Sequence, residues 1–213
     1  DHVVQVVLVD PLLKLHMNDD TSLYLMDEIV KSGNKVYYCT EYDIVISSHK
    51  KQCKAFLYKD EKNAQRFIEV LDYYNNKNYK VKYSLAIRKK LYSYGNLLIP
   101  KKDSLIKVLT YCIMPDHYHL IIKVLVNDTL SKYINDIENS YTHFFNTKFD
   151  RKGPLWQSRF RAVLIKTNEQ LLHVIRYVNI NPTTSGLVEK PEDWKYSSYK
   201  DLITNPKYIK QII

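Results

Sequence analysis

The sequence predicts an α+β protein, in which a β-sheet is covered by amphipathic helices. Two apolar runs within residues 109–124 flank the turn Met114-Pro115-Asp116, a pattern typical of two adjacent strands. Residues 129–147 instead place apolar and aromatic side chains at helical spacing. Residues 167–181 begin with a helix-capping pattern and continue with a second apolar stripe. Strand and helix periods therefore alternate along one chain.

Residues 1–40 are predicted to form a strand–helix–strand unit. Residues 3–9 are a β-branched run, and residues 19–32 combine capping side chains with an apolar face. Gly33-Asn34 ends this helix, and residues 35–40 are predicted to form the second strand. We expect residues 1–40 to be an N-terminal appendage to the rest of the protein.

Residues 41–213 are predicted to form the main domain. A short strand is expected at 42–47 and a helix from Glu61 to about Tyr74. Residues 75–105 are basic and tyrosine-rich and are predicted to be an inserted, partly helical excursion. Residues 190–213 form a C-terminal tail, whose Trp194 and Tyr199 are expected to pack back onto the domain.

The composition favours a polyanionic partner. The 213 residues contain 32 Lys and Arg against 23 Asp and Glu, a formal net charge of +9. A lysine-rich bias in the coding sequence is the alternative explanation. Three widely spaced cysteines fit neither a disulfide framework nor a zinc motif. We expect a cytoplasmic protein with no membrane partner, because no apolar run is long enough to span a bilayer and the first residues lack signal-peptide features.

The most informative pattern is His117-Tyr118-His119, directly after the predicted turn. Side chains two positions apart on a strand point to the same face, so the two imidazoles should lie side by side. Tyr118 and Leu120 should then point to the opposite face. Paired imidazoles commonly hold a divalent metal, but two histidines on a polar strand face would show the same pattern.

A second polar stripe is predicted on the helix that Thr167 caps. His173, Tyr177 and Asn181 are spaced at i, i+4 and i+8, so they share one face, and the helix is expected to end before Pro182. An amide oxygen on Asn181 could complete a metal site with His117 and His119, leaving open positions on Mg²⁺ or Mn²⁺. Tyr177 is then a candidate nucleophile, and the part played by His173 is left open.

Residues 148–166 alternate cations with aromatic side chains, as expected of a groove for single-stranded nucleic acid. The alternative is a solvated loop in which Trp156 is buried. Candidate DNA-binding residues in this segment and on the following helix are Lys152, Trp156, Arg159, Arg161, Lys166 and Arg176.

Four motifs in order resemble those of a known family. MPDHYHLIIK looks like the MPNH-hydrophobic-H signature of single-tyrosine HUH transposases. GPLWQSRFRAVLI, LLHVIRYVNINPTTSGLV and PEDWKYSSY resemble the downstream motifs of the REP-associated tyrosine transposases. The resemblance covers about residues 41–203. Asp116 stands where asparagine is usual, and Val178-Asn179-Ile180 replaces the commoner Ile-His-Leu.

This resemblance implies a ferredoxin-like antiparallel sheet with helices packed on it. It implies a metal-dependent endonuclease and strand transferase acting on single-stranded, hairpin-bearing DNA. Tyr177 would form a 5′-phosphotyrosine, with His117, His119 and Asn181 as metal ligands, in a monomer or a homodimer. A non-catalytic nucleic-acid-binding protein and a hydrolase of small phosphates are the alternatives. Separately, residues 1–40 faintly resemble the start of bacterial glutathione synthetases.

Overall fold

The computed structural model of the chain describes residues 36–41, 45–48, 51–54, 61–156 and 160–205. The strand predicted at 3–9 and the helix predicted at 19–32 lie outside these residues.

Six strands and five α-helices make up the described part of the chain. The strands are β1 (Val36–Glu41), β2 (Val45–Ser48), β3 (Lys51–Lys54), β4 (Ile106–Ile113), β5 (Tyr118–Val124) and β6 (Arg161–Ile165). The helices are α1 (Glu61–Tyr74), α2 (Tyr83–Arg88), α3 (Leu130–Lys148), α4 (Asn168–Thr184) and α5 (Tyr199–Thr204), and Pro191–Asp193 form a short 3₁₀ turn.

The main sheet has the ferredoxin-like order β4-β5-β1-β6, with every neighbouring pair antiparallel. Helix α1 comes between β1 and β4 along the chain, and α3 comes between β5 and β6. Strands β2 and β3 form a separate two-stranded hairpin. The predicted fold class is therefore confirmed for the described part of the chain.

Strand β1 lies inside the main sheet. It pairs with β5 on one side, where Thr40 is opposite His119, and with β6 on the other, where Thr40 is opposite Arg161. The sequence pattern predicts this strand as part of the N-terminal appendage, and the observed pairing corrects that assignment. Pairing between strands so far apart along the chain leaves no local signal in the sequence. That the residues before β1 form a unit separate from the main domain stays a prediction.

The two faces of β5 contact different helices. On one face the Tyr118 ring lies 5.1 Å from the Phe67 ring of α1 and its hydroxyl donates to Glu138 of α3 at 2.9 Å. On the other face His119 meets α4, through Asn181. The predicted alternation is confirmed: Tyr118 anchors the sheet to the α1–α3 layer, and the imidazole of His119 is directed to α4.

Helix α4 begins as predicted but ends later. The Thr167 hydroxyl accepts a hydrogen bond from the backbone N–H of Gln170 at 3.1 Å. The helix continues past Pro182 to Thr184, so the predicted end before the proline is wrong. Near this end, Thr183 donates to the Ile180 carbonyl at 2.7 Å and Thr184 donates to the Asn181 carbonyl at 3.0 Å, so hydroxyl groups bond carbonyls of the last turn. Pro182 lies two residues before the end of the helix, so the intrahelical bond that its missing N–H removes, to the Val178 carbonyl, is near the end of the helix.

The C-terminal tail packs on the outer edge of β4. Trp194 is buried and its indole N–H donates to the Ile113 carbonyl at 3.0 Å. The backbone of Ile113 donates in turn to the Tyr196 carbonyl at 2.8 Å, and Ser198 donates to the Tyr111 carbonyl at 3.0 Å. Tyr199 is half-buried. The predicted packing of the tail is confirmed, and the tail covers an edge that would otherwise expose strand backbone.

The excursion between α1 and β4 is closed at its base by one buried side chain. Asn75 accepts from the backbone N–H groups of Leu105 and Ile106, both at 2.9 Å, and donates to the Ile106 carbonyl at 2.9 Å. Helix α2 supplies the helical part predicted for this segment. Among the residues that the structure describes, no helix has the length and apolar character needed to cross a membrane.

Candidate metal and tyrosine centre

The two histidines converge at the start of β5. His117 lies in the turn that precedes the strand and His119 lies within it. Their Nε2 atoms are 3.0 Å apart, and the rings are nearly perpendicular, with centroids separated by 4.7 Å. The turn is closed by a hydrogen bond from the Met114 N–H to the His117 carbonyl at 2.8 Å. A local turn and the strand alternation together bring both nitrogens to one point.

Asn181 reaches the same point from α4. Its Nδ2 lies 3.0 Å from the Nε2 of His119, and its Oδ1 accepts a hydrogen bond from the Ser185 hydroxyl at 3.2 Å. Rotation of the amide by a half-turn about the Cβ–Cγ bond would present the oxygen, which is the metal-binding atom of an amide, to the imidazoles. The side chain is almost completely buried, so bulk water has little access to it.

Burial and charge favour neutral imidazole at this point. His119 has no exposed surface, and desolvation, followed by the repulsion of a protonated His117, lowers its pKa well below the ordinary value, with Asp116 opposing the shift. The Oδ1 of Asp116 lies 2.8 Å from the Nδ1 of His117. A carboxylate on the far nitrogen fixes the orientation of a metal-binding imidazole. Asp116 is therefore a positioning residue, although in the sequence it stands out only as a departure from the family motif.

Tyr177 lies one helical turn before Asn181 on α4. Its ring is half-buried and meets the His119 ring at a centroid distance of 5.5 Å and an angle of 77°. The structure thus brings together Tyr177, His117, His119 and Asn181, the four residues singled out from the sequence. His173 lies a further turn away and is half-buried. All four residues come from one chain.

The donor set fits a divalent cation that accepts nitrogen and oxygen ligands. Within the described ranges, no group of three or more His, Cys, Asp and Glu side chains could hold a metal ion. The predicted set differs in kind, because it combines two imidazoles with an amide. Two convergent Nε2 atoms, a buried neutral ring and a carboxylate behind His117 are the features expected of such a site.

The structure places the predicted DNA-binding residues in different environments. Lys152, Lys166 and Arg176 are exposed, and Arg176 is on α4 next to Tyr177. Arg159 lies outside the residues that the structure describes. Arg161 is the first residue of β6. It is paired with Thr40 of β1, and Thr40 is paired on its other side with His119 of β5. Contacts of these residues with DNA stay predictions.

Trp156 has a clear packing role. Its indole N–H donates to the Glu138 carbonyl at 3.0 Å, and its ring packs against Tyr118 and Phe67 at centroid distances of 5.8 and 6.0 Å. The structure therefore favours the alternative in which this ring is part of the core. The aromatic partners on α1 and β5 are distant in sequence, which is why the local pattern does not distinguish the two possibilities.

Comparison with known proteins shows first what this chain and its fold are similar to. Residues 79–181 match the family model described as Transposase IS200 like. A solved structure of a REP-associated tyrosine transposase bound to a REP hairpin has a similar fold, with a TM-score of 0.55 and 17% identity over 81% of each chain.

Two curated relatives are also similar to this chain. A protein of Haemophilus influenzae named as a putative REP-associated tyrosine transposase is 33% identical over 100 residues, which are 41% of this chain and 56% of that protein. The REP-associated tyrosine transposase of Escherichia coli is 27% identical over 100 residues, 46% of this chain and 58% of that protein. The resemblance predicted from the motifs is confirmed, although the chain spans little more than half the length of these relatives.

A different family matches the start of the chain. Residues 4–86 match the model of the prokaryotic glutathione synthetase N-terminal domain. The resemblance noted over residues 1–40 is thus confirmed and extends through β1, β2, β3 and α1.

Proposed function

We propose that this protein is a metal-dependent endonuclease and strand transferase for single-stranded DNA, in which Tyr177 is the nucleophile. The observation that carries the proposal is the meeting of α4 with β5: Asn181 lies 3.0 Å from His119, and the Tyr177 ring packs on the same imidazole. The similarity to tyrosine transposases supports this choice over the other functions open to a metal-binding fold.

The proposed reaction is a pair of phosphoryl transfers. The Tyr177 hydroxyl attacks a DNA phosphorus, the new Oη–P bond forms, and the bond from phosphorus to the 3′-oxygen breaks. The phenolic proton is released to water and the departing 3′-oxygen takes a proton from water, which leaves a 3′-hydroxyl and a 5′-phosphotyrosine. Attack by another 3′-hydroxyl reverses the chemistry, joins the new strand and restores the phenol. Covalent capture conserves the bond energy between the two steps.

His117, His119 and Asn181 would hold the cation, Mg²⁺ or Mn²⁺. A bound cation would stabilise the charge that develops on the phosphate oxygens. The two nitrogen ligands favour Mn²⁺ over Mg²⁺ in affinity, because Mg²⁺ prefers oxygen and stands below the transition metals for such sites. Asp116 would keep the His117 ring in its orientation, and burial would keep His119 unprotonated.

The proposed substrate is DNA that carries a hairpin. The solved relative is bound to a REP hairpin, and the net charge of +9 suits a polyanion. Lys152, Lys166 and Arg176 are exposed, so their charges are accessible to phosphate groups, and Arg159 and Arg161 are further predicted contacts.

The test is the formation of a covalent adduct. Protein is incubated with Mn²⁺ or Mg²⁺ and single-stranded DNA containing a hairpin, and the products are separated in SDS. We expect an SDS-resistant adduct that requires the metal and is absent in Tyr177→Phe, with Tyr199→Phe as a control that retains it. An equal adduct with Tyr177→Phe would overturn the assignment, and hairpin binding without any adduct would favour a non-catalytic binding protein.

A further inference from the structure

A second cationic groove lies on the helical layer on the opposite side of the sheet from Tyr177. It is a cavity of about 850 Å³ between residues 79–84 of the excursion and the exposed side of α3. Its lining includes the cations Arg66, Lys80, Lys82 and Lys148 and the rings of Tyr79 and Phe144. Because α4 covers the other face of the sheet, a ligand in this groove would be separate from the tyrosine centre.

Arg66 is the most informative residue of the groove. Its guanidinium carbon lies 4.0 Å from the centroid of the Tyr83 ring and 5.0 Å from that of Phe144, so two rings fix its orientation. Its Nε is buried and has no hydrogen-bond partner among the described residues. Arg66 as a whole is only half-buried and lines the groove, so an anionic oxygen can approach the guanidinium charge.

A second cation of the groove, Lys148, also lies beside an aromatic ring, that of Phe144. The Nζ of Lys148 lies 5.7 Å from the Phe144 ring centroid and donates to Asn63 Oδ1 at 2.7 Å. Asn63 is fully buried, and its Nδ2 has no hydrogen-bond partner among the described residues. Phe144 and Tyr79 keep part of their ring surface exposed, which is the requirement for stacking on a base.

The lining of the 850 Å³ cavity is mainly cationic. Its only carboxylate among the described lining residues is Asp136, which accepts hydrogen bonds from Tyr79 at 2.5 Å and from Lys132 at 2.6 Å. A second cavity of about 710 Å³ shares Arg66, Phe144 and Lys148 and continues the groove along α1, where two carboxylates, Glu61 and Glu69, also line it and Glu61 is paired with Lys195. The groove is therefore extended, which suits a chain of phosphates better than one small anion.

We propose that this groove binds a segment of single-stranded nucleic acid, independently of the strand that Tyr177 attacks. Phosphates would contact Arg66, Lys80, Lys82 and Lys148, and bases would stack on Tyr79 and Phe144. The fold already fixes the rings and Arg66 in place. Binding there depends on this surface alone and does not require cleavage chemistry.

Binding of an unstructured oligonucleotide tests the groove. The probe is labelled oligothymidylate of about twelve nucleotides, a length within the usual site sizes for single strands. We compare Lys80→Glu/Lys82→Glu with the matched reversal Lys89→Glu/Lys102→Glu, whose side chains are exposed on the same excursion but outside the groove. The groove variant should bind at least about tenfold more weakly, and its salt slope should fall by about 1.4, because two phosphates are no longer neutralised. Equal binding by the two variants would overturn the proposal.

Photo-cross-linking locates the probe. Iodouracil-substituted oligothymidylate is irradiated with Tyr177→Phe protein, and the modified peptides are identified by mass spectrometry. We expect cross-links at Tyr79 or Phe144, and cross-links confined to other regions would contradict the groove. Failure of the groove proposal can be distinguished from failure of the proposed cleavage function. The groove proposal predicts that Tyr177→Phe binds oligothymidylate whether or not the wild-type protein forms an adduct with hairpin DNA.

Discussion

Asn179 joins the tyrosine helix to the sheet by donating a hydrogen bond from its Nδ2 to the Oγ1 of Thr110 at 3.1 Å. The same threonine oxygen lies 2.6 Å from the hydroxyl of Ser198 in the C-terminal tail. All three side chains are buried. The distance between Tyr177 and the histidine pair therefore depends on a polar contact in the core, at a position where the family motif usually has histidine.

Asn179→Ala should lower the free energy of unfolding by about 1–3 kcal/mol, because the Thr110 hydroxyl loses a buried partner and a cavity remains. Urea denaturation measures the change. The control is Asn139→Ala on the exposed side of α3, which should be neutral or slightly stabilising because alanine is the better helix former. An Asn179→Ala protein as stable as the control would show that this contact does not hold the helix in place.

Asn181→Ala should weaken Mn²⁺ binding by at least about tenfold, because it removes one of three proposed ligands. Calorimetric titration measures the metal affinity, and hairpin binding in EDTA should stay unchanged. Ser185→Ala is the matched control: it removes the hydroxyl that holds the amide oxygen, which leaves the oxygen available to the cation, so the affinity should not fall. Equal losses of metal and DNA binding in Asn181→Ala would argue against a ligand role.

Arg159→Ala and Arg161→Ala should each weaken hairpin binding and flatten the salt dependence by about 0.7 to 0.9 for each phosphate that is no longer neutralised. Binding is measured over a series of salt concentrations. Arg88→Ala, on the exposed surface of α2, should leave the slope unchanged. Weaker binding with an unaltered slope would mean that these arginines act through the fold and not through phosphates.

The pH dependence of stability should report on His119. Its pKa is lowered in the folded protein, so the unfolded chain binds more protons below its ordinary pKa of about 6.5. Stability is therefore fully present above that pH and is lost as the pH falls, by up to about 1.4 kcal/mol per pH unit for one proton. Urea denaturation over a pH series measures the slope without added metal. His119→Gln should remove this contribution, and a variant with the wild-type slope would assign the loss to other groups.

The part of the centre that could be predicted is the part that local geometry encodes. Strand alternation pairs His117 with His119, and the i, i+4 spacing on one helix pairs Tyr177 with Asn181. Their meeting is implied by family resemblance alone, because contact between a strand and a helix much later in the chain is a property of the whole fold. Asp116 could have been recognised from its adjacency to His117.

Other features depend on contacts that a linear pattern does not contain. Helix α4 continues two residues past Pro182, which is buried in the folded protein, whereas the local rule ends a helix before a proline. Trp156 is part of the core because Tyr118 and Phe67 come from distant elements. The cationic groove likewise exists only when the excursion folds beside α3.

The position of β1 limits how this protein can be shortened. The strand comes from the stretch similar to glutathione synthetase, yet it is hydrogen-bonded on both sides by strands of the transposase-like sheet. A protein trimmed to residues 42–205 would lack the strand between β5 and β6, which lie about 10 Å apart, or two interstrand spacings. The unpaired backbone groups of β5 and β6 could then hydrogen-bond a strand of a second molecule. We therefore expect the trimmed protein to exchange strands or aggregate. The stretch that matches glutathione synthetase therefore cannot be removed without taking a central strand from the main sheet.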